Sequence, residues 1–404
     1  MSDDATARLL HVRQDPRFQE AIAHVGAGHD RIVDETIQLQ QVPAPYRSEG
    51  PKGAMFATML AETGLKDVET DKEGNVLALW RGRGSNRGLV AIVSHLDTVF
   101  PAGTDLTIRR EGTRIVGPGI ADDTHGLAVQ LGLIRAMRAA GIETERDILF
   151  VASVGEEGIG DLRGVKYLMH EGAYRDRIDT FIALDGGAPE RLVDVAVGSR
   201  RWDVRYRGPG GHSYAAFGTV SPVFALSRAL SRFAETRVPN GTTYSVGFIG
   251  GGTSINAIPN EAWCQADLRS SSPDDLAALE ARFLALLKEA VVEENAARST
   301  ATGPITLETR ILGDRPSGFT QKDAEIVRIA QAAIAASGWA PELVASSTDA
   351  NVAISMGIPA VTIASGIGGR AHSPDEYLDV AKKPSVRQIG MALSVLLATA
   401  GLAV

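Results

Sequence analysis

Two adjacent carboxylates, Asp122 and Asp123, stand in the glycine-rich stretch GPGIADDTHG, just ahead of a helical pattern. A carboxylate on such a loop can bridge two metal ions, because each of its oxygens can face a different cation. Further acid and histidine clusters recur along the chain. His95 and Asp97 close the run LVAIVSHLD, and residues two apart on a strand face the same side. A metal-bound imidazole commonly donates its second ring N–H to a carboxylate, which suits His95 as ligand and Asp97 as the group that orients it. Glu156 and Glu157 follow DILFVASV in a GEEGIG loop, where neighbouring carboxylates repel unless a cation or a proton separates their roles. Asp185 ends FIALDGG, and His372 follows the last apolar run in GGRAHSPDEY. Each also has an ordinary reading: an N-cap for Asp122–Asp123, a structural histidine at 95, a solvated acidic loop for Glu156–Glu157, a turn at Asp185, a loop histidine at 372. Their company favours chemistry, since four clusters end predicted strands and the fifth opens a helix.

The runs VLALW (76–80), LVAIVSHLDT (89–98), DILFVASV (147–154), TFIALD (180–185) and PAVTIA (359–364) are continuous and rich in β-branched residues. Strands buried on both faces read this way. Helical spacing fills 15–40, 52–63, 126–141, 165–173 and 324–338. The alternation predicts an α/β fold, a helix-covered and mostly parallel sheet, with sites off the carboxyl ends of its strands. From Arg201 to about Leu312 the order changes to strand, helix, strand, strand, helix, strand, the ferredoxin-like α+β arrangement with one sheet face left free. The expected organisation is a catalytic domain of 1–198 plus 314–404, interrupted by an inserted dimerisation (lid) domain of 199–313.

At 404 residues the chain has room for two or three domains. A hydrophobic fraction of 44% with 22% charged residues is that of an ordinary globular protein. A net charge of −8 argues against nucleic acid and anionic membranes as partners. No apolar run reaches the ~18 residues needed to span a bilayer. The start MSDDATARLL has neither the basic nor the apolar segment of a secretory signal. One cysteine, Cys264, excludes internal disulfides and cysteine-based zinc sites, so a cytoplasmic location is expected.

The ordered set SHLDT, GPGIADD, GEEG, LDGG and AHSPDEY resembles the dinuclear metallopeptidase and amidohydrolase family of peptidase T, aminoacylase, glutamate carboxypeptidase, acetylornithine deacetylase and succinyl-diaminopimelate desuccinylase. The resemblance runs through nearly the whole chain, inserted domain included. It implies Asp122 as the bridging carboxylate, followed by a cis peptide to Asp123. His95 and Asp185 would complete one metal site, Glu157 and His372 the other. Asp97 would orient His95, and Glu156 would be the general base. In the inserted domain, GPGGHS, SINAIPNEA and ADLRS supply His212, Asn256 and Arg269. The resemblance implies that His212 reaches a partner subunit's active site and that Asn256 and Arg269 bind substrate. Arg315 and Arg370 are further candidates for anion contacts, and Thr348, Asp349 and Asn351 for the pocket wall. Two divalent metal ions are expected, zinc first with manganese or cobalt as alternatives, because nitrogen and oxygen ligands without sulfur suit all three. Relatives commonly continue the Asp pair with Lys and a small residue, whereas this chain has Thr124 and His125. A bulky His125 would re-tune the pocket, unless it is a solvated first-turn residue.

The expected function is metal-dependent hydrolysis of a C–N bond, peptide or amide, in a small carboxylate-bearing molecule or short peptide. An aminohydrolase acting on a small carboxylated amine is the alternative, favoured by His125 and by an Asn256–Arg269 clamp. A non-catalytic binding protein on the same fold would lack a ligand or the base, and none is missing. A homodimer or higher homo-oligomer through the inserted domain is expected.

Overall fold

The strand Leu89–His95 is buried at every residue. Its alternate side chains enter two different cores: Val90 and Ile92 pack into one, Leu89, Ala91 and Val93 into the other. The neighbouring strand Asp147–Ser153 divides likewise, Ile148, Phe150 and Ala152 against Leu149 and Val151. A strand with apolar residues on both faces has no solvent side, so helices must cover the sheet twice. The computed structural model shows this arrangement, and it describes residues 4–84 and 88–403.

Two units make up the chain: Met1–Ala196 with Phe319–Val404, and Val197–Gly318. In the first, the sheet runs in the order Val68–Thr70, Val76–Trp80, Asp147–Ser153, Leu89–His95, Ile178–Leu184, Ala360–Ile363, Arg191–Ala196. Leu89–His95 pairs in parallel with both Asp147–Ser153 and Ile178–Leu184, and Ala360–Ile363 pairs in parallel with Ile178–Leu184. Glu342–Ser346 adds a further parallel pair on Arg191–Ala196. Val76–Trp80 and Arg191–Ala196 join their neighbours in antiparallel fashion, so the parallel core carries antiparallel borders. The core strands Asp147–Ser153, Leu89–His95, Ile178–Leu184 and Ala360–Ile363 all point their carboxyl ends to one edge.

Helix His125–Ala139 is buried along almost its full length against this sheet. The region 15–40, whose spacing suits one or two helices, holds two, Pro16–Ala27 and His29–Gln40, preceded by Asp4–Gln14. A small antiparallel sheet of Gly368–Gly369, Tyr377–Asp379, Arg114–Val116 and Arg109–Glu111 lies apart from the main one. Its register Tyr377↔Val116 brings the Gly117 loop alongside the loop of His372.

The second unit has four antiparallel strands in the order Thr242–Gly251, Glu261–Ser270, Gly198–Arg207, Thr306–Arg315. Numbered along the chain this is 2-3-1-4, and with helices Pro222–Ala234 and Pro273–Ala297 it is the ferredoxin-like arrangement. Val204, Tyr206, Cys264, Ala266 and Leu268 share a core with Leu226, Phe233, Phe283 and Leu287 of the helices. The bounds 199–313 read from the sequence fall inside this unit, because its first and last strands run beyond the alternating pattern that marked them. Among the described residues no helix is long and apolar enough to cross a membrane.

Candidate metal centre

Strand ends gather the acids and histidines. His95 is the last residue of its strand, Asp185 follows Leu184, and Glu156–Glu157 follow Asp147–Ser153 by two residues. Ile120–Thr124 is a tight turn entered through Gly119 in the left-handed conformation (φ 67°), and its Asp122–Asp123 peptide is cis. Donor atoms of His95, Asp122 and Asp185 lie within 4.8 Å of one another, as do those of Asp122, Glu157 and His372. Asp122 is common to both groups. His95, Glu156 and Glu157 form a third such group.

The imidazole of His95 is 2% exposed, and its Nδ1 lies 2.9 Å from the main-chain carbonyl of Asp97. A carbonyl only accepts, so Nδ1 carries the proton and the lone pair of Nε2 faces outward. That Nε2 meets Asp122 Oδ1 at 3.0 Å, while Asp122 Oδ2 lies 3.3 Å from His372 Nε2. His372 Nε2 is also 2.8 Å from Glu157 Oε1. A lone pair aimed at a carboxylate oxygen requires a positive charge between them, a proton or a metal cation. The donors are nitrogen and oxygen without sulfur, and Asp122 is common to two groups, so the residues present fit two divalent cations sharing Asp122.

The electrostatics state the same demand. Burial lowers His95, but Asp122, Glu156 and Asp123 outweigh it and hold the ring well above its usual range. Hydrogen bonds to Asp122 and Glu157 push His372 up to about 10 against the effect of its partial burial. Burial, with the charge of Asp122, pushes Asp185 up to about 7. Burial opposes the charge on Asp122, yet His372 and His95 keep it below the usual carboxylate range.

Behind these groups lies a layer of acids that the sequence did not single out for this work. Asp97 touches His95 through its carbonyl, while its carboxylate accepts the main-chain N–H groups of Glu156 (2.9 Å) and Glu157 (2.8 Å). Asp123 Oδ2 accepts the N–H of His95 at 3.1 Å. Glu376, wholly buried, accepts from Gly119, Ala121 and Asp122 at 3.2, 2.7 and 2.8 Å. Its place in AHSPDEY, four residues after His372, was its only signal. Where the resemblance leads one to expect lysine, Thr124 stands, and the buried Lys52 donates to its hydroxyl at 2.8 Å. His125 neither lines an opening nor meets solvent. It is 1% exposed with Nδ1 3.0 Å from Thr36 Oγ1, and burial lowers it to about 3.

Thr348, Asp349 and Asn351 are buried and tied to their surroundings. Thr348 shares a hydrogen bond with Thr362 (2.7 Å), Asn351 caps the N–H of Thr348, and Asp349 accepts from Ser153. Arg370 is largely exposed and 3.5 Å from Asp375.

In the second unit, His212 and Asn256 meet at one end. His212 pairs with Ala257 on a short ribbon, Asn256 accepts the N–H of Ser213, and His212 Nδ1 accepts from Tyr214 and Ala215. Arg269 and Arg315 lie at the other end of the sheet, both opposite Ser199, with Arg269 bonded to Asp267. The eight residue steps from Glu261 to Arg269 span roughly 26 Å at strand rise. One copy therefore does not bring Asn256 and Arg269 together, and their clamp is not formed within a single chain.

A model of the peptidase family M20/M25/M40 matches residues 91–399. Over 333 residues the chain is 29% identical to acetylornithine deacetylase of Myxococcus xanthus, covering 78% of this chain and 82% of that one. Its fold is similar to that of aminopeptidase PepT from Bacillus cereus, with a TM-score of 0.74 at 23% identity over 92% of this chain and 99% of the other. It is also similar to the YxeP protein of Bacillus subtilis, described as a dinuclear metal-binding peptidase, with a TM-score of 0.67 at 16% identity over 93% and 99%.

Proposed function

The chain belongs to the peptidase family M20/M25/M40, and from that premise we propose that it hydrolyses a peptide or amide bond of a small, carboxylate-bearing substrate at a centre of two divalent cations. His95, Asp122 and Asp185 would hold one cation, and Asp122, Glu157 and His372 the other. The observation that carries this reading is Asp122, whose two oxygens each face a different imidazole. Zinc, manganese and cobalt all suit the donors. When bound, the cations polarise the scissile carbonyl and acidify a water molecule.

The remaining work falls to this chain's side chains. Glu156, 5% exposed and fixed through its own N–H on Asp97, takes the proton of the attacking water and delivers it to the leaving nitrogen. Glu157 faces His372 instead, which supports Glu157 as the ligand and Glu156 as the base. Arg269 offers its guanidinium group for a substrate carboxylate, whereas Arg315, 4% exposed, is buried. His212 and Asn256, at the far end of their sheet, serve the site of a second copy, where His212 donates to the developing oxyanion. The aminohydrolase alternative drew on His125 and on an Asn256–Arg269 clamp; His125 is turned to Thr36 and gives it no support.

Treatment with a chelator should abolish turnover, and a divalent metal should restore it. Product detection by mass across acyl-amino acids, dipeptides and tripeptides then identifies the substrate. Full activity in protein shown metal-free by elemental analysis would overturn the reading.

A further inference from the structure

Lys52 is a charged side chain that the proposed reaction does not use. It belongs to helix Gly50–Glu62 and is 1% exposed, although lysine is almost never fully buried unless anions compensate it. Its ammonium makes a hydrogen bond to the Thr124 hydroxyl at 2.8 Å. Burial lowers it to about 8, and the charges that resist the fall are Asp97, Asp123 and Glu376.

Those three carboxylates are each 0% exposed. Among the described residues none of them forms an ion pair with lysine or arginine within 4 Å. Each accepts main-chain N–H groups from a segment that carries the proposed machinery: Asp97 from Glu156 and Glu157, Asp123 from His95, Glu376 from the loop of Asp122. An ammonium seated on Thr124, the residue that follows Asp123, offsets the cost of burying these anions. Thr124 supplies its seat at the turn between Asp122 and the buried helix.

We propose that Lys52, seated on Thr124, is a positioning residue whose ammonium neutralises the buried layer of Asp97, Asp123 and Glu376 and so holds His95, Asp122, Glu156 and Glu157 in place. This rests on the metal-centre reading above. The lysine touches no reacting atom. It acts through the acids, and the acids act through the main chain.

The test moves the charge without removing it. Lys52→Met keeps the length of the side chain and deletes the ammonium. Lys52→Met with Thr124→Lys returns an ammonium from the opposite wall, which a lysine can reach because the native Nζ sits beside the Thr124 hydroxyl. Metal affinity is read by chelator competition on stripped protein, alongside circular dichroism and steady-state kinetics. Lys52→Met should bind metal at least about tenfold more weakly, the usual effect of losing an outer-layer partner. At saturating metal it should lower kcat and leave KM little changed. The double variant should recover most of both. Folded Lys52→Met that binds metal as tightly as the wild type, or a folded double variant no better than the single one, overturns the proposal. Should Lys52→Met not fold, the double variant decides alone: folded and metal-binding supports it, unfolded contradicts it. Wild-type protein that takes up no metal in the same titration overturns the metal-centre reading instead.

Discussion

Glu156 and Glu157 are neighbours in sequence, yet their surroundings separate them. Glu157 Oε1 lies 2.8 Å from His372 Nε2 and shares a donor group with Asp122, whereas Glu156 groups with His95 and Glu157. Glu156→Gln keeps size and polarity but accepts no proton, so kcat should fall by at least ~10²-fold, the general acid–base contribution, with metal content unchanged. Glu157→Gln should weaken metal binding and recover partly at high metal concentration. The reverse pattern, read by elemental analysis of both variants, would exchange their roles. His125 gives a pH test. Burial lowers its folded value to about 3, below the usual value of 6.5. The unfolded chain then takes up a proton below about 6.5 that the folded chain refuses, so stability is lost as pH falls through that window. From pH 7 to 5 this amounts to roughly 2 kcal/mol. His125→Gln should flatten the fall in urea midpoint over that range, and an unchanged slope would remove His125 as its source. His95, Asp122, Glu157, Asp185 and His372 were legible in the sequence because each ends an apolar run or opens a helix. Asp97's carboxylate, Asp123, Glu376 and Lys52 do their work through main-chain N–H groups and burial. An acid that caps a distant loop leaves no spacing to read.

The turn Gly117–Thr124 is held from two sides. Glu376, just ahead of strand Tyr377–Asp379, grips it through Gly119, Ala121 and Asp122, while Gly126 lets helix His125–Ala139 close on Asp123. A Cβ at 126 would stand 2.4 Å from Asp123 Oδ1 and 2.6 Å from Ser94 Oγ. Gly126→Ala should therefore cost about 1–3 kcal/mol by overpacking and weaken metal binding too; a wild-type melting temperature would show that the turn can yield. Glu376→Gln replaces one acceptor with a donor facing the Gly119 N–H, so a loss of about 1–3 kcal/mol is expected in urea unfolding. The long buried strands were plain from their apolar runs. The short strands Arg109–Glu111, Arg114–Val116 and Gly368–Gly369 were not, because two or three residues carry no periodicity. Helix Asp4–Gln14 escaped notice because it is polar along most of its length, burying only Ala5, Leu9 and Val12.

At the scale of the whole molecule, the unit Val197–Gly318 has, among its own described elements, none over one sheet face or over the edge strand Thr242–Gly251, where Phe248 and Ile249 are exposed. An unpaired edge of this kind is a ready surface for pairing with another chain. The proposed dimer, in which His212 serves the site of a second copy, makes a prediction. Mixing inactive His212→Ala with inactive Glu156→Gln should regain activity through mixed dimers, and none after demonstrated subunit exchange would count against the crossing. Cys264, buried in the same unit and pushed up to about 12 by burial, should resist thiol reagents until that unit opens. The central claim is the shared carboxylate, and metal counting tests it most directly. Wild-type protein loaded with zinc or manganese and then desalted should carry about two ions per chain. Asp122→Asn, which keeps the shape and removes the charge both sites share, should carry fewer than one and lose turnover. Asp122→Asn that retains two ions and near-normal activity would contradict the account.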